Sequence, residues 1–308
     1  MVYPHYSRKL LITADDYGIG PNTSRGILDL AEAGAISATV LLVNSPYAEV
    51  AVRDWRTSQV PLVMGWHPCL TLDRPVLDPE LVPSLVNAAG QFHSLNRFLI
   101  QLFRGEIKPQ EIRIELKAQL EKFKDLTGRD PALVNAHHHI HIFPIVGNAL
   151  RFVLKEIRPK PYIRCIREPW SSLFLLSGSR GKRLFLNYWG RAEAIRQEQE
   201  GFRGNQWLAG INDTRRTEDA SFFSRWLRSM PGSFVELTCH PGLLDPSLEG
   251  RDGSWTDGKI FRRADEYHWL LSSQFRDTIQ ECNFSWSETD DFYDEELIVE
   301  PVLNTITA

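Results

Sequence analysis

Several common signatures are missing from this 308-residue chain. There is no G-x-G-x-x-G, no P-loop and no G-x-S-x-G elbow, so dinucleotide binding, P-loop phosphate binding and serine-nucleophile chemistry lack their usual support. Cysteine is sparse: Cys69, Cys165, Cys239 and Cys282 are scattered, and no CxxC occurs. That argues against a disulfide framework and a thiolate zinc site, and it predicts a reduced, cytoplasmic setting. Positive charge shows no surplus: 35 Lys and Arg stand against 39 Asp and Glu, a net charge of −4, which disfavours a nucleic-acid partner. The longest apolar stretch, Ala38 to Val43, falls far short of the roughly 20 residues that span a bilayer. The N-terminus, Met1-Val2-Tyr3-Pro4-His5, lacks the cationic and apolar pattern of a signal peptide.

The composition, 43% hydrophobic and 24% charged, suffices for one large domain with a sizeable core. Strand-like and helix-like segments alternate. Lys9–Thr13, Ser37–Val43, Leu62–Gly65, Ala132–Ala136, Tyr162–Ile166, Phe234–Thr238 and Asn283–Trp286 read as strands. Helices are predicted over Pro21–Ala33, from Ser45-Pro46 to about Trp55 with Ser45 as N-cap, over Pro109–Leu126 and over Arg262–Ser273. The clearest is Pro109–Leu126, where Ile112, Leu116, Leu120 and Phe123 recur at helical spacing before Gly128. This alternation predicts an α/β fold with a mostly parallel sheet. Length and element count favour a (β/α) barrel-like single domain with fewer than eight full repeats. Two regions depart from the pattern. Residues 170–212 are Trp-rich and basic, and read as a helical excursion over the site; residues 288–308 form an acidic C-terminal extension beyond a domain of residues 1–287.

The chemistry-bearing residues follow the strands. Asp15 and Asp16 end the first one, His67 the third, and His240 the Phe234–Thr238 strand. Four of the nine histidines fall within five residues, at His137, His138, His139 and His141. Sites of parallel α/β folds lie at such strand ends. Of two adjacent carboxylates, one can bind a metal while its neighbour takes a proton, although Asp-Asp-Tyr-Gly is also good turn chemistry. An Asp with two His makes a facial metal site with open positions, and at least one histidine of the quintet would hold a ligand ring in place. His240 is an acid candidate. Such a set suits amide or ester hydrolysis by attack of metal-bound water.

These motifs resemble the YdjC-like (ChbG-type) carbohydrate deacetylases. The resemblance runs from Leu10 to about Trp286 and rests on Thr13-Ala14-Asp15-Asp16-Tyr17-Gly18, Trp66-His67, Asn135-Ala136-His137-His138-His139-Ile140-His141 and Thr238-Cys239-His240-Pro241. It implies a barrel-like fold similar to polysaccharide deacetylases and removal of an N-acetyl group from an acetylated amino sugar, in an oligosaccharide or a glycolipid head group. It also implies one divalent cation, with Asp16, His67 and His137 as ligands. Asp15 would be the general base, and His240 would be the general acid or would stabilise the developing charge. His139, His141, Arg164, Arg167 and Arg263 would orient ligands or substrate. Magnesium is the cation implied by the family, whereas an Asp-His-His set suits zinc, manganese or iron by ligand preference. A homodimer is the implied assembly.

The chain departs from the family pattern at Trp66, where Leu or Met is usual, and at Asn135, where Asp is frequent. The first would reshape the substrate rim and the second would remove a charge near the site. Two other functions compete: another metal-dependent hydrolase of similar fold, such as a phosphoesterase, and a catalytically silent sugar-binding protein. Trp66, Trp170, Trp189 and Trp207 are either sugar-stacking groups or core.

Overall fold

The computed structural model describes residues 8–176, 178–211 and 219–287; the predicted acidic extension 288–308 lies outside them. Eight strands are found among the described residues: β1 (Arg8–Tyr17), β2 (Ala38–Leu41), β3 (Val63–Trp66), β4 (Leu133–Val134), β5 (Tyr162–Ile163), β6 (Trp207–Ala209), β7 (Phe234–Cys239) and β8 (Phe284–Trp286). Every pairing is parallel, in the order β5-β4-β3-β2-β1-β7-β6, with β8 beside the start of β1. Ten α-helices connect them: α1 (Pro21–Glu32), α2 (Ala48–Ser58), α3 (Leu95–Phe103), α4 (Pro109–Thr127), α5 (Pro144–Leu154), α6 (Trp170–Leu175), α7 (Arg180–Gln199), α8 (Phe222–Ser229), α9 (Lys259–Leu271) and α10 (Ser273–Glu281). The expected barrel-like α/β fold is therefore present. Among the described residues, no helix is long and apolar enough to cross a membrane.

Period-two alternation divides each strand into an outer and an inner face. Leu10, Ile12, Ala14, Ile163, Val235 and Leu237 join the large core packed beneath the helices. Leu11, Ala38, Val40, Leu133, Tyr162 and Phe234 form a separate apolar cluster inside the curled sheet. Two residues further along, the same inner face carries Thr13, Arg164 and Glu236; two more bring Asp15 and Thr238. The interior thus grades from an apolar floor to a polar rim at the strand C-termini.

The curl brings the outer strands together without a regular ladder. Ile163 N donates to Arg203 O at 2.8 Å, and Leu208 N to Arg167 O at 2.9 Å. The Asn205 amide imitates a strand, accepting from Cys165 N at 2.8 Å and donating to Cys165 O at 2.8 Å.

Four local readings need correction. The helix expected from Ser45-Pro46 starts at Ala48, because the backbone turns first: Ala48 N donates to Ser45 O at 3.2 Å. The stretch 170–212 is not wholly helical, since Trp207 belongs to β6; Asn212 lies outside the described residues. Helix Arg262–Ser273 starts earlier, at Lys259, and is followed by a separate helix whose N-cap Ser272 accepts from Phe275 N. Trp66 does not reshape a rim, because it is fully buried in the outer core.

Gly65 sits where β3 meets the barrel interior. A Cβ there would lie 2.5 Å from both Leu133 O and the Leu133 side chain. Gly65→Ala should therefore cost about 1–3 kcal/mol by overpacking, read as a lower thermal midpoint by circular dichroism. An unchanged midpoint would show that β3 and β4 can separate freely.

Candidate active site

Adjacent strand residues normally face opposite ways, yet Asp15 and Asp16 point into one site. The pairing of β1 with β2 slips between Ala14 and Tyr17, and Asp16 takes a left-handed φ of 67°. Aspartate tolerates this conformation better than most side chains. The bulge turns both carboxylates towards the rim, and the two acquire different partners.

Asp15 is gripped by Arg164, Nη1 to Oδ2 at 2.7 Å and Nη2 to Oδ1 at 2.8 Å. Thr238 Oγ1 donates to Oδ2 at 3.0 Å, and Asn135 Nδ2 to Oδ1 at 3.3 Å. Asn135 therefore supplies a donor where an aspartate would bring a second negative charge. Burial alone would raise the Asp15 pKa, but the Arg164 guanidinium holds it well below the usual carboxylate range. Arg164 also donates through Nε to Glu236 Oε1 at 2.7 Å, and Glu236 accepts from the Tyr162 hydroxyl at 2.7 Å.

Asp16 offers one oxygen to two histidines and the other to an arginine. Oδ1 lies 2.9 Å from His137 Nδ1 and 3.2 Å from His67 Nε2, while Arg263 Nη2 donates to Oδ2 at 2.6 Å. Burial opposes its charge; Arg263 and His137 more than restore it, so the carboxyl lies well below its ordinary value. His67 Nδ1 lies 2.7 Å from Asn135 O, a pure acceptor, and so carries the proton. In the neutral ring Nε2 is then a lone pair aimed at a carboxylate oxygen. Two acceptors at that distance repel unless a cation or proton lies between them. His137 Nε2 is buried with no hydrogen-bond partner. The ligating atoms of Asp16, His67 and His137 all lie within 4.8 Å of one another, a set able to hold a metal ion.

The histidine quintet is a turn, with His138 and His139 both left-handed at φ 56° and 57°. Only His137 reaches Asp16. His138 stacks on it at 3.9 Å between ring centroids and pairs through Nδ1 with Thr71 Oγ1 at 2.8 Å. His139 Nδ1 has no hydrogen-bond partner. His141 accepts from Ala136 N at 3.4 Å and faces Arg164 O through Nε2 at 3.1 Å, which ties the turn to the segment carrying Arg164. Burial pushes its pKa down to about 4; the Arg164 carbonyl opposes this and the Arg164 guanidinium adds to it.

His240 follows β7, and its Nε2 lies 3.8 Å from Asp15 Oδ2 with the side chain 27% exposed. Its backbone N–H donates to the buried Glu266 carboxylate. Desolvation and the Arg262 guanidinium push the imidazole below its ordinary value. Arg167 is directed elsewhere: it donates to Gln206 O and Asn205 O and pairs with Glu198, fastening the seam between β5 and β6. Two residues escaped the sequence reading. Glu236 had a signal, a lone acid inside the apolar run Phe234–Cys239. Asp252 had none; it sits in a loop, 2.8 Å from Arg263 Nη2 and 4.0 Å from His137 Nε2.

A parallel barrel with carboxylates and imidazoles converging at the C-terminal rim of its strands defines the class by fold and site. The YdjC-like protein family matches the chain over residues 9–281. A carbohydrate deacetylase of Enterococcus faecalis is 35% identical over 293 residues, covering 89% of this chain and 94% of that protein. The mouse carbohydrate deacetylase is 28% identical over 291 residues, covering 90% and 91%. A crystal structure from Enterococcus faecalis V583, of a candidate cellobiose-phosphate cleavage protein, superposes with a TM-score of 0.68 at 25% identity, over 92% of this chain and 98% of that one. The chain belongs to the YdjC-like family.

Replacing Arg164 with Met should leave Asp15 and Glu236 as buried, unpaired charges and cost about 3–5 kcal/mol, measured by urea unfolding. Because the Asp15 pKa is depressed in the folded state, the stability from this pair is present above about pH 4 and is lost as pH falls. The wild-type advantage over the variant should therefore shrink in acid. An advantage that grew there would contradict the pairing.

Proposed function

We propose that this protein hydrolyses the N-acetyl group of an acetylated amino sugar, with one divalent cation held by Asp16, His67 and His137. The observation that carries the reading is the lone pair of His67 Nε2, directed at Asp16 Oδ1 across 3.2 Å, with His137 Nδ1 on the same oxygen at 2.9 Å. That donor set fits a cation. One oxygen and two imidazole nitrogens favour zinc, manganese or iron, and magnesium remains the cation implied by the family. When bound, the cation would polarise the acetyl carbonyl and make water more acidic. Relatives of similar length support the sugar: a Yersinia enterocolitica chitooligosaccharide deacetylase is 27% identical over 285 residues, covering 89% of this chain and 95% of that one. The four cysteines are free thiols and three are buried, which fits a cytoplasmic setting.

In this reading the protein moves one proton. Asp15 is the base; Arg164 and Thr238 hold it ionised and fix the direction of its oxygens. It takes a proton from the attacking water. His240 is the acid for the departing amine. With its pKa depressed, His240 is neutral before turnover and must gain its proton during the reaction. The nearest source is Asp15, whose Oδ2 lies 3.8 Å from His240 Nε2. Proton movement from water through Asp15 and His240 to nitrogen leaves a free amine and acetic acid, which ionises to acetate by giving its remaining proton to the amine or to solvent.

Asp15→Asn should reduce acetate release by about 10²–10⁴-fold while metal content stays at the wild-type level. His67→Ala should lower metal content itself, measured by plasma emission after dialysis. Chelation with EDTA should abolish acetate release from N-acetylglucosamine oligomers, and added metal should restore it. Wild-type rates in Asp15→Asn, or activity untouched by EDTA, would refute the mechanism.

A further inference from the structure

One exposed face has no role in the chemistry. The neighbouring helices α6 and α7 display large apolar side chains to solvent: Phe174 is 76% exposed, Leu175 73%, Tyr188 72% and Trp170 55%. Single exposed apolar residues are ordinary, but a group of this size on neighbouring helices marks an interaction surface. Its charge identifies the partner. From Pro169 to Ala192 the sequence contains no Asp or Glu and four basic residues, Arg180, Lys182, Arg183 and Arg191, in a chain of net charge −4. Arg183 is consumed internally by Glu168, and Arg191 half-buries between Trp170 and Trp207. Arg180, which donates to Phe174 O at 3.3 Å, and Lys182 lie exposed, directly after the apolar tip.

The patch runs on towards the site. Phe185 packs against Phe143 with ring centroids 6.0 Å apart, and Phe143 closes the histidine turn. Trp189 meets Phe143 at 5.9 Å and Phe103 of α3 at 6.3 Å; Phe103 is itself largely exposed. The face therefore borders the candidate active site.

We propose that the α6–α7 face is a membrane-docking surface that seats on an anionic lipid bilayer. Aromatic and leucine side chains beside Arg180 and Lys182, in the acid-free stretch from Pro169 to Ala192, match the composition of interfacial anchors, with the acids of α7 confined to its C-terminal end at Glu193 and Glu198. Charge complementarity selects a lipid surface over a second copy of this chain, which would bring the same positive stretch against itself. Docking in this way would bring the histidine turn close to the bilayer, within reach of a sugar carried on a lipid. That last step rests on the deacetylase reading; the docking does not.

The test is co-sedimentation of the full chain with vesicles. Binding is expected to vesicles containing phosphatidylglycerol, to be weak on pure phosphatidylcholine, and to fall with added salt. Phe174→Ser with Leu175→Ser should weaken binding by about tenfold or more, and Arg180→Glu should do so on the anionic vesicles alone. Both variants should keep the wild-type rate on a soluble acetylated oligosaccharide, because neither touches the rim. Three results would overturn the proposal: no binding to anionic vesicles, binding unchanged in both variants, or a wild-type dimer that Phe174→Ser/Leu175→Ser splits in analytical ultracentrifugation. Loss of vesicle binding with activity retained also separates this test from failure of the deacetylase reading, which acetate release alone decides.

Discussion

The bulge at Asp15–Asp16 is the constraint on which the site depends. It turns two adjacent carboxylates towards one rim, where desolvation would make them repel. Two guanidiniums from distant segments answer this, Arg164 on Asp15 and Arg263 on Asp16. A non-glycine residue in the left-handed region costs on the order of 1–3 kcal/mol, and such strain persists only where surrounding contacts fix it. Here it separates the two acids by role. Asp15 is locked in a bidentate clamp, whereas Asp16 keeps one oxygen facing imidazoles.

The inner face of the barrel makes the clamp rigid. Tyr162, Glu236 and Arg164 form a buried chain that ends on Asp15, rising from the apolar floor through β5 and β7 to the end of β1. Every link is charged or hydrogen-bonded within a desolvated interior. Such networks favour one arrangement strongly when satisfied and are costly when broken. The geometry of the candidate site and the stability of the barrel interior thus draw on the same contacts.

Much of this was legible in the sequence, for identifiable reasons. Strands buried on both faces read as apolar runs, and Leu10–Ile12 and Phe234–Cys239 were visible in that way. The placement of Asp15, Asp16, His67 and His240 followed from their positions at strand ends. β6 was hidden because Trp207-Leu208-Ala209 is too short for a period, and its pairing is set by Phe234 and Val235 far along the chain. The quintet announced itself by density, but which ring faces Asp16 depends on two left-handed residues that composition does not specify. Asp252 was illegible for the same reason: a loop acid gains meaning only through what the fold sets beside it. Arg167 was implied as a site residue by the family resemblance, yet it serves the seam.

The position of β1 also governs how the molecule is made. Its partner on one edge is β7, with Lys9 opposite Phe234, and its opening residues pair with β8, with Arg8 opposite Phe284. Both partners lie more than 200 residues further along the chain. During synthesis β1, which carries the two aspartates, must wait with a bare edge until these distant strands have emerged. Closure is a late, long-range event, and such topologies fold slowly and expose aggregation-prone edges meanwhile. That exposed interval is set by the strand order, independently of any step in the chemistry.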